Sequence, residues 1–179
     1  MKNTFTLLVL ILTPTMAFAQ GCVYFINNSA GYVTQWTSST DPTLIRVPGG
    51  GGMVELLTAP YGTPFNPGGA FGFYPTLDAF LAANPGWQSV ATTGFNTPAA
   101  GRFNGGTVYL QSSIYGGANA EYVIIGWTGP ATTLDAAILA GAFVGSSPLL
   151  TTTTGSGGTP PTRATLLSAT FPGDVSGDT

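Results

Sequence analysis

The stretch EYVIIGW at 121–127 is apolar on both sides of an extended chain. Successive side chains of a strand point to opposite faces, so Tyr122 and Ile124 share one face and Val123, Ile125 and Trp127 the other. This reads as a central strand covered on both sides. A second stretch, MVELLT at 53–58, sets Val54 and Leu56 against Glu55, the alternation of a strand with one solvated face. Further β-rich runs lie at 22–27, 32–37, 87–93, 107–111, 148–152 and 164–171, with Gly and Pro recurring every few residues between them. Short strands with dense turn punctuation predict an all-β fold, an antiparallel β-sandwich of jelly-roll or Ig-like kind. The glycines at 49–52 and at 116–117 read as turns that permit positive φ.

Two short segments break the β pattern, TLDAFLA at 76–82 and TLDAAIL at 133–139. Each opens on a capping threonine, Thr76 or Thr133. Each places an aspartate, Asp78 or Asp135, in the first turn, where the helix end is positive. Apolar residues follow at helical spacing, and Pro85 and Gly141 read as the stops. Their likeness reads as two uses of one capping chemistry rather than a duplicated unit with paired active-site aspartates.

At the front of the chain, Lys2 supplies a positive n-region, residues 5–12 form a nearly unbroken apolar run, and Ala17-Phe18-Ala19 gives the small-x-small pattern of a signal-peptidase site. Cleavage is expected before Gln20, with an exported, extracellular or cell-surface product. The apolar run is too short for a permanent membrane span, and no later segment offers a transmembrane candidate. A rival reading is lipidation at Cys22; against it, Ala19 stands where a bulky aliphatic is usual. The expected organisation is a signal peptide at 1–19, a β-sandwich domain at 20–172 and a polar tail at 173–179. The stretch TTTTGSGGTPPT at 151–162 reads as a flexible loop before a last strand.

The tail, GDVSGDT, spaces Asp174, Ser176 and Asp178 like positions 1, 3 and 5 of a calcium-binding loop, as at the start of a dockerin repeat. Thr179 stands where such a loop wants glycine, and the acid at position twelve is not reached, so no tight calcium site is expected. Two readings stand: the start of a longer calcium-binding repeat, or a plain polar tail.

Composition removes whole classes of chemistry. The chain has no histidine and one cysteine, Cys22, and its only lysine is Lys2 in the leader. Ser-His-Asp and Cys-His nucleophile systems, structural or catalytic zinc, and Schiff-base or P-loop lysine chemistry all lack their side chains. No cofactor is expected, and no internal disulfide can form. Without Lys2, three arginines face seven carboxylates, a formal charge of −4. Arg46, Arg102 and Arg163 are scattered in sequence, so nucleic acid is not an expected partner.

Two functional classes remain. Paired-carboxylate chemistry, as in glycosidases, could draw on Asp41, Glu55, Asp78, Glu121 and Asp135. Asp78 and Asp135 are taken by the helix caps, and Asp41-Pro42 reads as a turn. Glu55 and Glu121 are left as the alternative enzymatic pair, against the plainer reading of solvated strand residues. The other class is binding. Trp36, Trp87 and Trp127, with Tyr24, Tyr32, Tyr74, Tyr109, Tyr115 and Tyr122, are many aromatics for so weakly charged a chain. Sugar rings stack on exposed aromatic faces, although tryptophans also fill cores. Trp127 belongs to the doubly apolar strand and reads as core. Trp36 and Trp87, each beside polar neighbours, are the candidate saccharide platform. Self-association through strand edges is the competing binding mode.

The stretches GCVYFINNSAGYVT from Gly21, VELLTAPYGT from Val54, EYVIIGWTG from Glu121 and TTLDAAILAGAFVGSSPLLTTTTG from Thr132 carry a resemblance. The chain resembles a group of secreted β-sandwich proteins of verrucomicrobia and related environmental bacteria, many of which end in a PEP-CTERM sorting tail. The likeness covers nearly all of residues 21–172. It implies an exported surface or exopolysaccharide-associated protein and carries over no active-site residues. The chain has no Pro-Glu-Pro motif, terminal apolar helix or basic end. The function expected from all of this is non-enzymatic: a role in the extracellular matrix or at the surface, with polysaccharide or a second copy of the chain as partner.

Overall fold

A computed structural model describes residues 19–27, 32–38, 40–68, 74–95 and 98–156. Within them the chain forms β1 (Gly21–Ile26), β2 (Thr34–Ser38), β3 (Asp41–Arg46), β4 (Gly52–Pro60), α1 (Leu77–Ala83), β5 (Gln88–Gly94), β6 (Asn104–Tyr109), β7 (Asn119–Thr128), α2 (Leu134–Leu139), β8 (Val144–Ser146), β9 (Leu150–Thr153) and β10 (Gly155–Ser156). The fold is all-β, sandwich-like and antiparallel, with two short helices. The leader at 1–18, the strand expected at 164–171 and the tail residues Asp174, Ser176 and Asp178 lie outside the described residues.

The long apolar stretch does form the centre. β7 pairs with β4 over nine residue pairs, from Gly52↔Thr128 to Pro60↔Ala120, while its other edge carries β8 and then β9. β5 flanks β4, giving the order β5-β4-β7-β8. Separate from this sheet are a three-stranded sheet, β10-β1-β6, and a two-stranded ribbon, β2-β3.

Period two then sorts the side chains into two cores. Val54 and Leu56 of β4 with Ala120, Tyr122 and Ile124 of β7 face Val23, Phe25, Phe103, Val108 and Leu110 across the sandwich. The other face, Leu57 and Ala59 with Val123, Ile125 and Trp127, is covered by Phe80 of α1, Trp87, and Leu134 and Ala137 of α2. The arrangement is a helical layer, a five-stranded sheet and a three-stranded sheet. It corrects the expected solvated face of 53–58: the helices cover it, leaving Glu55 only 5% exposed and Leu57 fully buried.

Both helices start as the capping pattern requires. Thr76 Oγ1 accepts from Ala79 N at 3.1 Å, and Thr133 Oγ1 from Ala136 N at 3.3 Å. Gly141, at φ 67°, ends α2, and Ala142 N returns to Ala137 O. The expected turns hold too, with Gly50 and Gly117 at positive φ. Two expectations are corrected. Asp41-Pro42 opens β3 rather than ending in a turn, because β3 returns against β2 with Trp36 opposite Leu44. The low-complexity stretch at 151–162 begins as β9 and β10, the former paired to β7 and the latter to β1. No helix among the described residues is long and apolar enough to cross a membrane.

Candidate functional site

The sequence alternates around three tyrosines. Val23, Tyr24 and Phe25 run in, out and in; so do Val108, Tyr109 and Leu110; and Tyr115 follows the buried Ile114. The inward members fill the sandwich core, which sends the tyrosines to the outer face of the three-stranded sheet. Register then brings them together. Tyr24 stands opposite Thr107 and Cys22 opposite Tyr109, so Tyr24 and Tyr109 are diagonal neighbours, about 7–8 Å apart at Cα. An isolated bridge sets Tyr115 opposite Gln20, two residues further along the same line. The three rings are 37%, 54% and 52% exposed. They span four residues of β1, roughly 13 Å at a strand's rise.

Cys22, opposite Tyr109 and on the same face as Tyr24, is only 1% exposed, and burial pushes its thiol above the ordinary value.

The two expected platform residues are not brought together. Trp87 is 4% exposed: its ring packs on Phe65 with centroids 5.1 Å apart and on Phe80 at 6.4 Å, and its Nε1 donates to Pro64 O at 3.1 Å. This corrects the reading of Trp87 as an exposed ring. It directly follows the turn after α1 and closes the helix-side core. Trp36 is half-buried on the β2-β3 ribbon, beside the exposed Leu44. Trp127 is core, as expected.

The carboxylate pair is also placed differently from expectation. Glu55 and Glu121 share the helix-side face of the large sheet, but neither is solvated. The Glu55 carboxylate accepts a hydrogen bond from Ser89 Oγ, and burial raises its pKa, with a further upward push from Asp135. Glu121 Oε1 accepts from Gly62 N at 3.2 Å, while its Oε2 is enclosed with no hydrogen-bond partner among the described residues. Ile125, the partner of Glu55, lies four residues along β7 from Glu121, roughly 13 Å. The buried pair Leu57 and Val123 stands between them. Glycoside hydrolysis needs two carboxyls about 5–10 Å apart across an open cleft, and these two do not share one. Asp135 reaches across to the other helix, its Oδ1 accepting from Leu77 N at 2.8 Å. Asp41 Oδ1 accepts from Thr43 N at 3.0 Å; the Thr43 side chain, and then this backbone bond, lower its pKa.

One cationic feature was not read from the sequence. Arg46 Cζ stands 3.5 Å from the Tyr32 ring centroid and Arg102 Cζ 5.2 Å from it. Arg102 Nη2 donates to the Tyr32 hydroxyl at 3.1 Å; this bond and the two guanidinium charges draw the phenol's pKa down. Among the described residues, no group of three or more Cys, Asp or Glu side chains is placed to hold a metal. No family model, curated protein or solved structure matches the chain.

Proposed function

We propose that this is an exported, non-enzymatic protein that binds extracellular polysaccharide through the tyrosine face of its three-stranded sheet, in a matrix or surface setting. The observation that carries this reading is the row Tyr24, Tyr109 and Tyr115, exposed side by side on a sheet whose other face is core. Tyrosine suits this use: the ring offers an apolar face for stacking on a sugar, and the hydroxyl keeps a partner for sugar hydroxyls. A flat, low-charge face fits a polymer lying along it better than a small molecule enclosed in a pocket. The leader at 1–19 supports export, and the scarcity of charge suits a neutral, hydroxyl-rich surrounding.

The test is a pull-down of residues 20–179 on a panel of insoluble and soluble polysaccharides, run beside Tyr24→Ala, Tyr109→Ala and the double substitution. Saturable retention that falls in each single variant and is lost in the double one supports the reading. Retention of the double variant equal to wild type sinks it.

A further inference from the structure

Arg46 and Arg102 are distant in sequence, yet both sit on one phenol ring. Two guanidinium charges gathered at one ring repel each other, and a carboxylate bound beside them would relieve the repulsion. Among the described residues, Asp41, Glu55, Glu121 and Asp135 are engaged elsewhere, on Thr43 N, Ser89 Oγ, Gly62 N and Leu77 N, and Asp78 belongs to the first turn of α1. Among the described residues the pair therefore stands as a local double positive charge, in a chain whose formal charge is −3 overall.

The placement is built, not incidental. Gly101 N donates to Val47 O at 2.6 Å, and Gly101 O accepts from Val33 N at 2.9 Å and from Asn27 Nδ2 at 2.7 Å. Phe103 N donates to Asn27 Oδ1 at 2.7 Å, with Asn27 itself buried. Gly101 has φ +71°, and a Cβ there would come within 2.7 Å of Val33 O, so only glycine lets the turn seat this close. The turn presenting Arg102 is thus fastened to the bases of β1, β2 and β3. Arg46 comes from the end of β3, opposite Thr34.

Register also relates the pair to the tyrosines. Ile26 stands opposite Asn104, and the fully buried Phe103 sends its neighbour Arg102 to the outer side. Arg102, two residues before Asn104, thus lies beyond Ile26 at the end of the sheet away from Tyr115, roughly 13 Å past Tyr24 at a strand's rise. We infer that Arg46 and Arg102, held on the Tyr32 ring, bind the carboxylate of an acidic sugar, so that uronate-bearing polysaccharides are the polymers this face selects. The inference rests on the saccharide reading above and names its substrate class. A planar carboxylate matches the guanidinium fork, and the following sugars of the same polymer chain extend toward the tyrosine row.

The experiment titrates residues 20–179 with trigalacturonate and with a neutral trisaccharide, maltotriose, at low and high salt. Variants are Arg46→Gln, Arg102→Gln and Arg46→Lys, each checked for an unchanged melting temperature. Trigalacturonate is expected to bind with salt-sensitive affinity, about tenfold weaker in each glutamine variant. Arg46→Lys should recover part of that loss, while weak maltotriose binding stays unchanged. Because Arg46 is exposed, its glutamine variant keeps the test open even if Arg102→Gln unfolds. Equal trigalacturonate affinity in wild type and Arg46→Gln, or binding of maltotriose alone, overturns the inference and leaves the saccharide reading standing. Binding of neither sugar also overturns the inference, while the polysaccharide panel decides the saccharide reading separately.

Discussion

Replacing Trp87 by alanine separates a core indole from a binding platform. The ring is 4% exposed, packs against Phe65 and Phe80, and has its N–H satisfied by Pro64 O. Truncating a buried aromatic costs about 3–5 kcal/mol through lost burial and the cavity left behind. The orphaned Pro64 carbonyl adds to this where water does not reach it, placing the expected loss near the upper end, about 4–5 kcal/mol. That is a large part of the roughly 5–15 kcal/mol available to a domain, and lowers the melting temperature by about 10–15 °C at this size. Trp87→Phe keeps most of the packing and loses the hydrogen bond, so its cost falls to about 1–3 kcal/mol. Urea unfolding followed by circular dichroism gives both values, with an unchanged m-value as the check on two-state behaviour. A Trp87→Ala cost below about 1 kcal/mol would refute the assignment of this indole to the helix-side core.

Two further outcomes follow from buried groups. Glu55 has its pKa raised above the ordinary 4.5 by burial, against the Ser89 hydrogen bond and with Asp135 adding to the rise. An acid with a raised folded-state pKa gives stability that is complete below 4.5 and lost as pH rises through the folded value. Glu55→Gln should therefore match wild type near pH 4 and exceed it at pH 7 in urea unfolding; a variant weaker than wild type at pH 7 contradicts this. Cys22 is enclosed with its thiol pushed up, so a thiol reagent should label it only on unfolding, and rapid labelling of the native protein would show the β1 placement to be wrong.

The centre of the fold was legible because 121–127 is apolar on both faces, and no solvated strand tolerates that. The second face of β4 was not, since Glu55 mimics a solvated position and only the docked helices bury it. Trp87 misled for a related reason: Gln88 and Ser89 beside it are polar, but it closes the turn after α1, with Trp87 N on Asn84 O. β3 was hidden by Pro42, which the ribbon tolerates at the start of an edge strand. The signal for the tyrosine face was present as the in-out alternation around Tyr24 and Tyr109. What sequence could not supply was the β1-β6 register that makes them neighbours. The meeting of Arg46 and Arg102 on Tyr32 depends likewise on long-range closure through Gly101, which no local pattern encodes.

The most direct measurement of the central claim is affinity electrophoresis of residues 20–179 through gels containing soluble polysaccharide, comparing wild type, Tyr24→Ala/Tyr109→Ala and Trp36→Ala. Wild type and Trp36→Ala are expected to be retarded in at least one polymer, and the double tyrosine variant to migrate freely at an unchanged melting temperature. Retardation that survives loss of both tyrosines, or disappears with Trp36 alone, would contradict it.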